Sequence, residues 1–389
     1  MKQDYVTKAE FSKKLNSISN SNDNITKRLD DTIRSLKKDI KTMISSFEEF
    51  VQQANDTLSS IETRIDRIEE KLWANYFYLE AINNATITVN GLGTGELKYT
   101  KTPDDESSWT TETISNGSTF NITLNAGEKC YFVGDITTTS GHGSVTFVTT
   151  DPITCGGNVY YVADKDGQLS QNYQCYRLFY SCTGLTNTPE LPATTLLKNC
   201  YSYMFAVCPR LTVAPELPAT TLASDCYSYM FAECTSLTTT PELPATTLSK
   251  NCYESMFEGC TSLTTTPILP ATTLSKNCYE SMFYRCTSLV IAPELPATTL
   301  ASNCYDSMFE GCTSLVTAPE LPATSLTSYC YGSMFKGCTS LTTTSELPAT
   351  TLADNCYYQM FNRCTSLTTT SELPATTLAF NCYGYMFYR

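Results

Sequence analysis

The chain has a single histidine, His142, and two tryptophans in 389 residues. That scarcity removes most zinc centres and histidine-based catalytic arrangements at once, because both need imidazoles converging on one point. Charge is also thin: charged residues make up 17% of the chain, with 26 Lys and Arg against 39 Asp and Glu. The net charge of −13 divides as −1 over residues 1–80, −6 over 81–174 and −6 over the remainder. No basic stripe exists, so nucleic acid is not an expected partner. No apolar run approaches the length that crosses a bilayer, so membrane insertion is not expected either. The opening MKQDYVTKAEFSKKLNSIS lacks the apolar core and small-residue cleavage site of a secretory signal. It predicts a protein made in a cytoplasm and not exported by the usual route.

What is plentiful is ordered. Of nineteen cysteines, seventeen recur at fixed phases in the last part of the chain, and only Cys130 and Cys155 lie outside it. From Cys200 the unit C-Y-x-x-M-F-x-x-C-T-S-L-T-x-x-P-E-L-P-A-T-T-L-x-x-x returns every 26 residues, at Cys226, Cys252, Cys278, Cys304, Cys330, Cys356 and Cys382. A first, shortened copy begins at Cys175, and the last stops at Arg389 inside a unit, which predicts a longer protein.

Within one unit, Leu222, Cys226, Tyr227, Met230, Phe231 and Cys234 have the spacing of an amphipathic α-helix. Ala223, Ser224, Asp225, Ser228, Tyr229, Ala232 and Glu233 would form its outward face. Leu237 opens a short extended stretch, and Pro241 and Pro244 forbid helix beyond it. One helix and one short strand cannot close a core alone, so the copies are expected to stack as a solenoid. Two cysteines eight apart on one helix would lie about 12 Å apart, beyond disulfide reach. Their spacing also misses the zinc-knuckle patterns. A ladder of buried thiols is the expectation, with disulfides between neighbouring units as the alternative.

Two other segments precede the array. Residues 11–72 carry a heptad pattern with Leu15, Asn22, Leu29, Leu58, Ile65 and Leu72 at a and Ile18, Ile25, Ile61 and Ile68 at d. Leucine at a with isoleucine at d predicts a parallel coiled coil of three or four strands, three preferred. The phase slips twice, over 25–33 and 36–44. Residues 83–165 alternate in the manner of strands, at 85–89, 119–124, 129–133, 145–149 and 158–162. Five to seven such strands predict a small β-sandwich or barrel. The expected organisation is a multidomain α+β chain: a stalk over 1–82, a β-sandwich over 83–170 and a leucine-rich-type solenoid over 171–389.

Candidate binding residues come from the array. The glutamate of the ELP segment recurs as Glu190, Glu216, Glu242, Glu294, Glu320, Glu346 and Glu372, with Ile268 the exception. Such a ladder suits cations or amine-bearing ligands, or simply keeps an edge solvated. Thr238, Thr239, Thr240 and Glu242, with Tyr229, offer the hydroxyls, carboxylate and ring that glycans use. Equivalent carboxylates lack the asymmetry that glycoside hydrolysis needs, so no enzyme, metal or cofactor is expected.

The MF-x-x-C-T-S-L phases resemble the leucine-rich surface repeats of the BspA and Treponema type, and related mycoplasma-type surface lipoprotein repeats. LPATTL-x-x-x-CY-x-x-MF is similar to repeats in proteins of gut Bacteroides and of their phages. LNAGEKCYFVGD resembles a β-domain found ahead of such arrays. The resemblance, with the stalk, implies a homo-oligomeric virion fibre or receptor-binding protein of a phage infecting gut bacteria. Its N-terminus would meet virion proteins and its repeats a host-surface glycan or protein. A bacterial surface adhesin is the alternative; an intracellular scaffold and a depolymerase with a further catalytic module stand behind it.

Overall fold

The computed structural model describes residues 25, 27–29, 32, 57–61, 75–139 and 141–388. The chain divides into two compact units, Met1–Glu70 and Lys71–Arg389. The coiled-coil expectation is corrected: among the described residues there is no long helix, and the regular elements are eight strands and two single turns of 3-10 helix. Ile25, Leu29, Leu58 and Ile61 are helical, while Leu15, Ile18, Asn22, Ile65, Ile68 and Leu72 lie outside the described residues. The sequence contains a reason of its own, since a seam that changes phase twice gives no single apolar face along one helix. Among the described residues, no helix is long and apolar enough to cross a membrane.

The second unit begins with a β-domain of strands β1 (Phe77–Ala81), β2 (Ala85–Gly91), β3 (Thr94–Thr100), β4 (Thr110–Ile114), β5 (Thr119–Leu124), β6 (Lys129–Thr137), β7 (Val145–Val148) and β8 (Ile153–Gly156). They form antiparallel sheets in the orders β4-β3-β6-β1-β8 and β5-β2-β7. Alternation drives this: Ala85, Ile87 and Val89 of β2 are buried while Thr86 is exposed. The sheets meet through rings, Phe147 of β7 lying 4.9 Å from Phe132 of β6 and 5.9 Å from Phe77 of β1. The strand expected over 158–162 is instead a 3-10 turn, Val159–Val162. The Asn158 side chain accepts the Tyr160 N–H at 3.0 Å, and Val159, Tyr160 and Val162 are all buried, which a one-faced strand does not allow. Gly134 admits this turn against β6, because a Cβ there would come within 2.0 Å of the Val162 carbonyl.

No described repeat contains an α-helix, and the α+β expectation fails here too. The segment expected to be helical is a ribbon of linked turns with one left-handed residue in every four: Asn199, Tyr203 and Val207 at φ 55°, 57° and 61°, and the same phases in later copies. The N–H groups of Asn199, Tyr201, Tyr203, Phe205 and Val207 donate to the carbonyls of Ser224, Cys226, Ser228, Met230 and Ala232 in the next coil, at 2.7–3.1 Å. Those of Cys200, Ser202, Met204 and Ala206 close local turns three residues back, at 3.1–3.3 Å. The physical reason is the period. Leu222, Cys226, Met230 and Cys234 step by four, which drifts about 40° per step around an α-helix. On the ribbon they stay in line. An α-helix would also satisfy its own N–H groups and leave none for the neighbouring coil. Two residues of the expected outward face, Ser228 and Ala232, are buried.

The first copy is not shortened. Tyr173 donates to the Lys198 carbonyl and Phe179 to that of Met204, so Gln174 takes the place of Cys200 and Cys175 that of Tyr201. Phe179 stacks on Phe205 at 5.7 Å. The β-domain covers this coil: Phe147 donates to the Leu178 carbonyl and Ile153 to that of Gly184, at 2.8 and 3.0 Å. The Tyr160 and Tyr201 hydroxyls also share a hydrogen bond. It is the end cap that a stack of repeats requires.

Inside the array, tyrosines from Tyr201 to Tyr383 stack at 5.6–5.8 Å, with a parallel ladder of phenylalanines from Phe179 to Phe387. All nineteen cysteines are free and buried. Seven have a specific duty: Cys208 Sγ donates to the Phe179 carbonyl at 3.1 Å, and Cys234, Cys260, Cys286, Cys312, Cys338 and Cys364 repeat it one coil on. A small apolar side chain with one weak donor suits that place.

Candidate functional site

Between ribbons, the chain runs along an edge where Leu237, Leu243 and Ala245 point inward and Thr238, Thr239, Glu242 and Pro244 are exposed, with Thr240 half-buried. Alternation and the prolines produce this, since neither a continuous strand nor a helix can form through Pro-Glu-Leu-Pro. Thr238 is committed to the scaffold: its N–H and its hydroxyl both reach the Thr212 carbonyl at 3.4 Å. Thr264 does the same to Thr238 at 3.2 Å. Val290 and Val316 occupy that phase in other coils, so the hydroxyl is dispensable there. The Thr239 phase carries parallel bridges, Thr317 with Thr343 and Thr343 with Thr369.

Hollows lie on this edge between adjacent coils. One of 340 Å³ is lined by Thr188, Pro189, Glu190, Leu191 and Pro192 of one coil and Pro215, Glu216 and Pro218 of the next. Another, of 460 Å³, repeats the arrangement near the far end, with Thr344, Glu346, Leu347 and Pro348 facing Thr369, Thr370, Ser371, Glu372 and Pro374. Each has a leucine floor, proline walls and a pair of carboxylates on its rim. Thr240 and Glu242 hold the phases of Thr344 and Glu346, so the expected residues other than Tyr229 do share one edge.

Tyr229 belongs to the ribbon. Its ring stacks on Tyr203 at 4.6 Å, and burial raises its pKa against the lowering effect of the Ser255 hydroxyl. Its ring partner Tyr203, its hydroxyl's partner Ser255 and the acceptor of its N–H, the Glu254 carbonyl, are all ribbon residues. Nearby, Arg177 lies 5.0–5.2 Å from the rings of Tyr176, Tyr180 and Tyr203, which makes an aromatic and cationic patch at the capped end.

The ribbon also carries a feature that the sequence reading missed. Glu254, Glu280 and Asp306 occupy one phase in three successive coils and are half-buried. Burial, then Glu280 and Asp225, push Glu254 up to about 7. Burial and Asp306 raise Glu280 to about 7, and burial and Glu310 raise Asp306 to about 7. Aligning the copies at this phase, Ser202, Ser228, Glu254, Glu280, Asp306, would have exposed the run. The helix expectation put this phase, as Ser228, on the outward face, where carboxylates would be solvated instead of half-buried.

Compared with known proteins, the chain matches no family model and no curated sequence.

Proposed function

We propose that this chain is a surface-recognition protein whose repeat array binds a host-surface glycan or protein, without catalysis or cofactor. In this reading it is a virion fibre or receptor-binding protein of a phage infecting gut bacteria. The observation that carries it is the recurrence of one hollow, with the same floor and rim, at both ends of a stack whose interior hardly varies. A row of equivalent shallow sites suits recognition by many weak contacts that add along a polymer or a crowded surface. Equivalent carboxylates offer no acid and base with distinct environments, which argues against glycoside hydrolysis. Homo-oligomers would multiply the effect, and the N-terminal region is the part that would meet virion proteins.

The test is binding of the fluorescently labelled full chain to a panel of gut bacteria by flow cytometry, together with immunogold labelling of virions. Saturable binding to particular strains and labelled fibres are expected. A chain that labels no cell and is recovered only with cytoplasmic proteins would overturn the reading.

A further inference from the structure

Arg177, in the first coil, is half-buried among half-buried rings. Its guanidinium lies 5.0–5.2 Å from the centroids of Tyr176, Tyr180 and Tyr203. Tyr173 meets Tyr176 edge-on at 5.7 Å, which extends the ring cluster on one side. Ring faces attract a cation, but they do not satisfy the in-plane N–H groups of the fork. The Arg177 Nε is buried with no hydrogen-bond partner. The ion pairs among the described residues use Lys101, Lys129, Lys165 and Lys336, not Arg177. Arg285 also lies 5.0 Å from a ring, that of Tyr284, but it has an acid beside it. Burial raises the Glu258 pKa, and Arg285 works against that rise.

The placement of Arg177 is fixed from two sides. Its backbone stands at φ 58°, and its N–H donates to the Ser202 carbonyl of the next coil at 3.1 Å. On the other side the Ser144 hydroxyl of the β-domain donates to the Gln174 carbonyl at 2.9 Å. Gly143 comes so close that a Cβ there would lie 2.3 Å from the Tyr176 carbonyl. A buried donor without a partner calls for one, and a charged fork held between rings is complementary to an oxyanion.

What carries the oxyanion follows from the backbone. The N–H groups of Cys175, Arg177 and Phe179 donate to the next coil and those of Tyr176, Leu178 and Tyr180 close turns, all at 2.9–3.2 Å. None of them is left to pair with an added strand, the main-chain source of affinity for a peptide laid on an edge. Recognition here falls to side chains, and tyrosine faces suit the C–H faces of a pyranose ring. The acidic column does not oppose an anion at this place. Glu254 stands three coils beyond Arg177, about 14 Å along the stack at the spacing of parallel bridges, outside the screening length of about 8 Å at physiological salt.

We propose that Arg177, Tyr176, Tyr180 and Tyr203 bind an acidic sugar, a pyranose bearing a carboxylate or a phosphate ester, with its oxyanion on the guanidinium and its ring against the tyrosines. This rests on the surface-recognition reading and gives it a second place on the molecule besides the hollows of the Pro-Glu edge.

The experiment is calorimetric titration of the full chain at equal ionic strength with a galacturonate tetramer, its methyl ester, mannose 6-phosphate, mannose, inorganic phosphate and hexaglutamate. The galacturonate tetramer, mannose 6-phosphate or both should bind, which identifies the anion as carboxylate, phosphate ester or either. The uncharged counterparts, the methyl ester and mannose, should bind at least about tenfold more weakly, the range of a hydrogen bond to a charged group. Arg177→Gln should lose the same factor, and Arg177→Lys should recover part of it as a point charge without the fork. Tyr180→Ala, which removes a ring wall and keeps the charge, should weaken the sugar by about two- to tenfold. Arg285→Gln should change nothing, and a thermal melt of each variant separates loss of binding from loss of fold. Binding of neither acidic sugar would overturn the proposal, as would uncharged counterparts, hexaglutamate or inorganic phosphate binding as tightly as the acidic sugars. Full binding by folded Arg177→Gln or by Tyr180→Ala would overturn it too. Cell binding by the labelled chain separates the two levels. If cells bind and neither acidic sugar does, this subsite is wrong and the recognition role stands; if nothing binds, both fall.

Discussion

Gly337→Ala decides between the ribbon and an α-helix by the sign of its effect. Gly337 sits at φ +73°, and a Cβ built there meets only backbone atoms of Gly311, at 3.8 Å. There is room for the methyl group, so the cost is that of the backbone alone. An L-residue held left-handed loses about 1–2 kcal/mol. Replacing glycine recovers about 0.5–1 kcal/mol by narrowing the unfolded ensemble. The Gly337 N–H bond to the Asn362 carbonyl, 2.8 Å long, is unaffected. The net expectation is a destabilisation of about 0.5–1 kcal/mol, and Gly337→Val should exceed it because a β-branched residue is a worse fit at positive φ. The reverse change supports the same logic: Val207 occupies this phase at φ 61°, so Val207→Gly should stabilise. Urea unfolding of the full chain, with hydrogen exchange at the Gly337 amide, measures both. In a helix interior, Gly337→Ala would instead stabilise by about 1 kcal/mol. Stabilisation by that substitution would refute the ribbon.

Other expectations follow from the interior and the acidic column. Burial raises Cys182 to about 11 and Cys234 and Cys252 to about 12, so native thiols should not react with Ellman's reagent, whereas urea-unfolded chain should react fully. Because these folded pKa values lie above the unfolded value, the stability tied to neutral thiols is complete below about pH 8.5 and is lost as pH rises toward 11–12; thermal melts from pH 7 to 11 should show it. Glu254, Glu280 and Asp306 shift in the same direction, to about 7. Their contribution is present below the unfolded carboxylate range near pH 4 and is lost as pH rises through 7, so Glu280→Gln should raise the melting temperature at pH 8 and flatten its dependence between pH 5 and 8. Cys260→Ala removes a buried donor to the Phe231 carbonyl and leaves a small void; urea titration should show a loss of about 1–3 kcal/mol.

The array shows why its interior could be read from the sequence while its backbone could not. Tyr227, Met230, Phe231, Cys234 and Leu237 are buried in the structure, as their spacing required, because a binary pattern reports which residues leave water and not how the chain turns between them. A step of four satisfies both a helix and a ribbon over one short unit. The distinguishing signal was in the other phases. Asn occupies the first left-handed phase at 199, 251, 277, 303, 355 and 381, and Gly the third at 259, 311 and 337. These are residue types that tolerate positive φ, placed eight apart, where a helix would favour neither. The Thr-Glu edge was legible because it depends only on proline and alternation, and it stands whichever backbone the other half adopts. The acidic column is hidden in a single unit, where its phase is Ser228, and a helix would leave that phase in water instead of half-buried. Tyr329, in the phase that asparagine fills elsewhere, and Val207 both accept a strained backbone in order to donate to the next coil, at 3.3 and 2.7 Å. Hydrogen bonding between coils therefore outweighs local preference along the whole ribbon, and it keeps the edge evenly spaced from coil to coil.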